Sequence, residues 1–223
     1  FRRVLFRSAN IRNMTNLAKI APSDRMILCI SPASGAAAMD IFGALLNGAC
    51  VAPCDVRTLG VPRMMNWLTQ QKISFLHAVP TLFRSLCKLL ENGPRLPDLR
   101  FVLLGGEAVF RSDLESFQRL FPAPCIFQNV LGMTEGAGIL CSYLANHQTR
   151  LTGDSVPVGY PVPGKAIKIV NERGDELPLG EVGEIAVESE LLSQGYVGQA
   201  LRTSERYLDL PQAGYKRLLT RDL

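Results

Sequence analysis

The sequence has little of what a metalloprotein, a membrane protein or a nucleic-acid binder needs. Only two of its 223 residues are histidine, His77 and His147, and neither stands near a Cys-x-x-Cys pair, which argues against a zinc site. No long apolar run exists. The longest charge-free stretch is Leu120–Thr134, interrupted by Pro122, Pro124, Gln128 and Asn129, so no segment is expected to span a bilayer. Repeats and low-complexity tracts are absent, and 47% hydrophobic with 20% charged residues excludes disorder.

A large charge of one sign is missing too. The net +4 is concentrated at the start: six cations against Asp24 give residues 1–25 a net +5, leaving −1 for the rest. With no basic stripe to follow a phosphate backbone, no nucleic-acid partner is expected. Phe1–Ser8 carries three arginines but no apolar core or small-residue cleavage site, so it is not read as a secretory signal. Residues 1–9 are set aside as a basic tail, possibly non-native. The six cysteines mostly sit inside apolar runs, as small buried hydrophobes of a reducing, cytoplasmic protein do.

What is present is an alternation. Met26–Ile30, Ala49–Pro53, Ile73–Val79, Phe101–Leu104 and Cys125–Gln128 read as buried strands. Between them Ala36–Asn47, Thr58–Gln71, Thr81–Glu91 and Ser112–Phe121 read as helices. The third places Leu82, Leu86 and Leu89/Leu90 on one face with Arg84 and Lys88 opposite, and the last has Ser112 as cap with Glu115 three residues on. After about residue 150 the proline-rich stretch Val156–Pro163 excludes helix, and Lys165–Val170 and Val182–Val187 read as strands around a turn at Asn171–Asp175. The expected fold is therefore α/β: a mostly parallel sheet flanked by helices over residues 10–150, then a smaller antiparallel β-rich, barrel-like subdomain over 151–223.

Three polar–glycine clusters fall where such folds place ligands, beyond the carboxyl ends of strands. Gly105-Gly106-Glu107 follows Phe101–Leu104; paired glycines admit a flat ligand, and a tight strand-to-helix turn explains them equally well. Asn129–Glu135 offers a turn glycine, a hydroxyl for a phosphate oxygen and a carboxylate for Mg²⁺. Its bland alternative has Thr134 capping a helix whose first turn carries Glu135. Asp222, near the end, can accept from two vicinal hydroxyls such as a ribose presents, or is simply a solvated charge.

Taken in order, these clusters resemble the adenylate-forming superfamily, most closely the adenylation domains of nonribosomal peptide synthetases. Asp40-Ile-Phe-Gly-Ala-Leu-Leu-Asn-Gly-Ala49 is similar to that family's Glu-Ile-Phe-x-Ala-Leu-Leu-x-Gly-Ala helix. Leu104-Gly-Gly-Glu-Ala108 resembles its Gly-Gly-Glu-Ala strand end, and Asn129–Glu135 matches four positions of its Asn-x-Tyr-Gly-Pro-Thr-Glu loop. Gly180-Glu-Val-Gly-Glu-Ile185 followed by Gly195-Tyr196 resembles Gly-Glu-x-Gly-Glu-Leu…Gly-Tyr, and Thr220-Arg-Asp-Leu223 resembles Thr-Gly-Asp-Leu. The resemblance covers about residues 10–223.

It implies ATP-dependent activation of a carboxylic or amino acid as an acyl-adenylate, then transfer to the phosphopantetheine thiol of a carrier protein within a multidomain chain. By the same resemblance Glu135 would hold Mg²⁺, Thr134 would bond the phosphate, Asn129 would read the adenine amino group, and Asp222 would grip the ribose. Gly105 and Gly106 would lie against the adenine and acyl pocket. Four positions depart from the pattern, Met133 in place of the loop's Pro being the mildest. Leu131 stands where the family has a Tyr that stacks on adenine, and Arg221 replaces the Gly of Thr-Gly-Asp-Leu. Gly35 takes the place of the Asp that pairs with an amino acid's ammonium, which suggests an acid without an α-amino group, or one held differently. The family's phosphate loop would lie upstream and its small C-terminal domain downstream, so the chain is expected to be an interior slice, inactive by itself. A stand-alone acyl-CoA ligase, delivering to CoA, and a non-catalytic remnant acting as a binding module are the competing readings.

Overall fold

A computed structural model describes residues 2–212 and 214–222; Phe1, the first residue of the basic segment, and Leu223, the last of the Thr220–Leu223 motif, lie outside the described residues. The described chain forms two compact units: residues 11–131 with 141–160, and residues 2–10 with 132–140 and 161–222.

Helix α1 spans Arg2–Ala18, so the basic segment set aside on sequence is helical from Arg2 onward. Then come β1 (Arg25–Leu28), α2 (Gly35–Leu45), β2 (Cys50–Pro53), α3 (Val56–Leu59), α4 (Val61–Gln70), β3 (Phe75–Ala78), α5 (Pro80–Leu90), β4 (Phe101–Gly105), α6 (Arg111–Leu120), β5 (Ile126–Met133) and β6 (Gly138–Ala145). The order β2-β1-β3-β4-β5 is parallel throughout, and β6 and the two-residue β7 (Tyr160–Pro161) extend the sheet. The expected α/β architecture is the one observed.

Both faces of this sheet are covered, which is why its strands read as continuous apolar runs. β3 is buried at every position. Phe75 and Phe101 stack at 4.9 Å on adjacent strands, while Phe83, Phe117, Phe121 and Phe127 form a separate aromatic group with ring centroids 5.2–6.2 Å apart. Helix α5 buries Phe83, Leu86, Cys87 and Leu90, so its inner face is centred one residue beyond the expected one and Leu82 and Leu89 only flank it. Arg84 is not free on the outer face: its Nε and Nη2 each reach the buried Asp113 carboxylate at 2.8 Å.

Three local readings are corrected. Thr58–Gln71 is two helices, because Gly60 takes φ +75° and Pro62 stands in the first turn of the second, where its missing N–H costs nothing. Helix α6 begins after Phe110 rather than Ser112. Its free amide is satisfied by Asp113, whose Oδ2 accepts from Phe110 N–H at 2.9 Å, so the acid at that position, not Glu115, closes the first turn. Finally, β5 runs five residues past Gln128, turning most of the expected loop 129–135 into strand.

In the other unit, β8 (Ala166–Val170), β9 (Glu184–Ser189), α7 (Ala200–Arg206), β10 (Tyr207–Asp209) and β11 (Lys216–Leu219) make a four-stranded antiparallel sheet of order β10-β11-β9-β8 with one short helix. Its core is small: Val170, Ala186, Val187 and Leu218 are fully buried. Arg206 is buried here and donates to the Leu219 and Thr220 carbonyls, fixing the end of β11.

Candidate functional site

Strand pairing explains the first group of residues. β4 and β5 are aligned so that Leu104 faces Asn129 and Gly105 faces Val130. A Cβ on Gly105 would lie 2.7 Å from Val130 Cγ2, so this glycine is required by the sheet itself and lets β5 continue past its apolar start. A Cβ on Gly106 would meet Val79 Cγ1 at an ordinary 3.9 Å, but its φ of +85° is a conformation only glycine adopts without strain. Glu107 then turns back to α5, its Oε2 accepting from Thr81 N–H at 3.0 Å and Thr81 Oγ1 at 2.6 Å. Between the two explanations left open for the Gly-Gly pair, chain geometry accounts for both residues.

Asn129 is 3% exposed, and both hydrogens of its amide are committed: Nδ2 donates to Val156 O at 3.1 Å and Pro157 O at 3.0 Å. That fixes the side chain and leaves Oδ1 as an acceptor. Leu131, two residues on along β5, is half-buried.

The second group lies on the turn between β5 and β6. Thr134 is exposed, and its carbonyl accepts from Ala137 N–H at 3.1 Å, closing a four-residue turn. No helix follows, so the helix-cap alternative for Thr134 and Glu135 falls: the turn joins two strands. Glu135 is held at both ends. Ser193 N–H donates to its backbone carbonyl at 3.0 Å, and Tyr196 Oη–H donates to its Oε1 at 2.8 Å. Tyr196 was noted on sequence only as part of a Gly-Tyr pair; its bond to Glu135 joins residues 61 apart and no local pattern announces it.

Asp222 follows β11. Its backbone is pinned, with Ile185 N–H donating to its carbonyl at 2.8 Å and its own N–H donating to Thr220 Oγ1 at 3.1 Å, while the residue as a whole is exposed. Arg221 before it sits at φ +66°, which accounts for a glycine at this place in the motif it resembles; here the strain is held by Arg221 N–H donating to Glu184 Oε1 at 2.6 Å. Among the described residues no hydrogen bond ties the Asp222 carboxylate to the Thr134–Glu135 turn. The structure thus gives separate small constellations: Gly105 and Asn129 on one strand pair with Gly106 just past its end, Thr134 and Glu135 on one turn, and Asp222 on its own.

The family description of AMP-binding enzymes matches residues 3–197. The chain belongs to the AMP-binding enzyme family. Among the proteins it is similar to, malpibaldin synthetase of Mortierella alpina is 30% identical over 87% of the chain, which covers 3% of that protein. Bacitracin synthase 3 of Bacillus licheniformis is 25% identical over 96% of the chain and 3% of its own length. The solved nonribosomal peptide synthetase FmoA3 superposes with a TM-score of 0.86 at 24% identity, over 95% of this chain and 23% of that one, a likeness of fold. PA1221, an NRPS protein containing adenylation and PCP domains, superposes with a TM-score of 0.77 at 26% identity over 90% and 35% of the respective chains. The chain therefore spans a small fraction of the length of the synthetases it matches.

Two features of this family member bear on cofactors. Among the described residues no group of three or more His, Cys, Asp or Glu side chains could hold a metal. Mg²⁺ needs no such cage, since it commonly takes one or two carboxylates and completes its shell with substrate phosphates and water. A single oriented carboxylate, as at Glu135, fits that donor set. Among the described residues no helix is long and apolar enough to cross a membrane.

Proposed function

We propose that the protein carrying this chain is an AMP-forming ligase. It activates a carboxylic or amino acid as an acyl-adenylate and passes the acyl group to the phosphopantetheine thiol of a carrier protein, in the cytoplasm. The acid's carboxylate oxygen attacks the α-phosphorus of ATP, a P–O bond forms, and the bond to pyrophosphate breaks. An anion approaching a polyanion faces a large electrostatic barrier, so fixed donors around the phosphates are the main catalytic requirement. Mg²⁺, when bound, supplies charge neutralisation at the phosphate oxygens.

This chain's residues divide that task. Asn129 Oδ1 accepts from the adenine amino group, Thr134 Oγ1 donates to a phosphate oxygen, and Glu135 presents its carboxylate to the metal. The Asp222 carboxylate accepts from the ribose hydroxyls. Gly35, the first residue of α2, has nothing within 4 Å of where a side chain would start, room for an acid that lacks an ammonium group. The observation that carries the reading is the commitment of both Asn129 amide hydrogens, which leaves an acceptor where a donor on the base is expected.

The test is acid-dependent ATP–pyrophosphate exchange in the full-length protein, run with ATP and with ITP, which carries a carbonyl in place of the amino group. ATP should be preferred about tenfold or more, and Asn129→Ala should remove most of that preference. Exchange with no acid of a broad panel would reject the activity. Equal use of ATP and ITP would reject the role of Asn129.

A further inference from the structure

We propose that Tyr196 is a positioning residue: its phenol fixes one oxygen of Glu135 so that the other is turned toward a divalent cation held with the nucleotide. The inference rests on the reading of Glu135 above and goes one shell further out.

The geometry is that of a built support rather than a chance meeting of side chains. Tyr196 N–H donates to Thr203 Oγ1 at 2.9 Å, anchoring the residue to helix α7. Its ring is covered on one side by the Arg202 guanidinium, 4.5 Å from the centroid, and meets Tyr207 edge-on at 6.2 Å. Tyr207 Oη in turn shares a hydrogen bond with Ser193 Oγ at 2.5 Å, and the Ser193 amide is the one that holds the Glu135 carbonyl. Residues 193 and 196 therefore grip the backbone and the side chain of the same acid. Between them Gly195 takes φ +112°, and a Cβ there would lie 2.2 Å from Thr203 Cγ2, so only glycine lets the segment close on itself this way.

The chemistry follows from this frame. A phenol, which ordinarily loses its proton only at about pH 10, is a neutral O–H donor at physiological pH. A carboxylate has about four acceptor sites on two oxygens. With Oε1 engaged by the phenol, no donor among the described residues reaches Oε2, and the side chain's rotation is fixed. Outer partners of this kind typically change metal affinity by about 10–100-fold when removed, because they select the ligand's orientation before the ion arrives.

The experiment is Mn²⁺ binding to the full-length protein with a non-hydrolysable ATP analogue, read by electron paramagnetic resonance, for wild type, Tyr196→Phe, Glu135→Gln and the double variant. Tyr196→Phe should weaken Mn²⁺ about tenfold while leaving metal-free nucleotide affinity unchanged. Glu135→Gln should weaken it at least as much, and adding Tyr196→Phe to Glu135→Gln should have no further effect. If Glu135→Gln leaves Mn²⁺ affinity unchanged, the reading of Glu135 falls and this inference with it. If Glu135→Gln weakens binding but Tyr196→Phe does not, only the positioning role is overturned. A Tyr196→Phe effect that persists in the Glu135→Gln background would mark a general packing role. So would a Tyr196→Phe protein that does not fold, since the ring and its Arg202 and Tyr207 neighbours are retained.

Discussion

The two compact units hold their candidate residues by different means. In the parallel-sheet unit, position is a by-product of packing: Asn129 is locked by two backbone carbonyls, and Gly105 is dictated by Val130 across the strand pair. In the antiparallel unit the candidates lie on a turn and beyond a last strand, exposed or half-exposed, and are held by a few individual hydrogen bonds such as Tyr196–Glu135 and Arg221–Glu184. In the roles proposed above, the group that would recognise a rigid, uncharged base is the one immobilised by packing, and those that would meet phosphates and a cation stand outside a core, where one bond can be remade without disturbing it.

That contrast can be broken most severely at Arg100. Its guanidinium donates through Nε to Asp24 at 2.7 Å and also to the Ala18 carbonyl, and Asp24 is 1% exposed. Burial by itself pushes the Asp24 carboxyl up. Hydrogen bonds from Arg100, the Ala21 amide and Ser74, together with the guanidinium charge, outweigh it and hold the group below its ordinary range. A lowered carboxyl stabilises the fold above the unfolded-state value of about 3.9, and that contribution disappears as pH falls through the lower folded value. Arg100→Met should cost about 3–5 kcal/mol by leaving a buried charge without its cation. It should also raise the midpoint of acid unfolding, followed by circular dichroism. An acid transition unmoved by the substitution would remove Asp24 from the account.

A middle-sized effect is expected at Gly105. Alanine there overlaps Val130 and should cost about 1–3 kcal/mol in chemical denaturation, with Val130→Ala restoring part of it. A neutral Gly105→Ala would mean that the strand pair yields, and that packing does not fix this end of β4. The smallest effect tests the other unit. Arg221→Gly relieves a left-handed side-chain residue, less the added freedom of glycine in the unfolded chain, for a net gain of about 0.5 kcal/mol. A loss instead would show that the Arg221 side chain, 3.9 Å from Glu205, contributes more than its backbone costs.

Much of this was readable beforehand wherever one force dominates. The buried parallel strands announce themselves because both faces are covered, and Met26, Phe75 and Phe101 leave no polar alternation to confuse. The end of β5 was not readable. Asn129 and Gly132 look like loop residues; the register with Leu104 and Gly105 shows that pairing with β4 continues to Val130, and β5 itself runs on through Gly132 to Met133. The break at Gly60 was hidden by apolar periodicity on both sides of it. The first turn of α6 is closed by Asp113 because the helix starts two residues earlier than a cap at Ser112 implies. At the candidate site, the motif residues were marked by their order along the chain. Tyr196, Ser193, Val156 and Pro157, which position them, act through contacts tens of residues apart and carry no local signature.

Three thiols outside the candidate site have a chemical consequence. Burial, first of all, pushes Cys29, Cys87 and Cys125 up to about 12. At neutral pH only about one molecule in 10⁵ then carries a thiolate at any of these positions, and the thiolate is the nucleophilic form. Under the function proposed above, a mixed anhydride destined for a sulfur acceptor would meet few reactive sulfurs on the chain's own surface, because these three thiols are held almost wholly protonated.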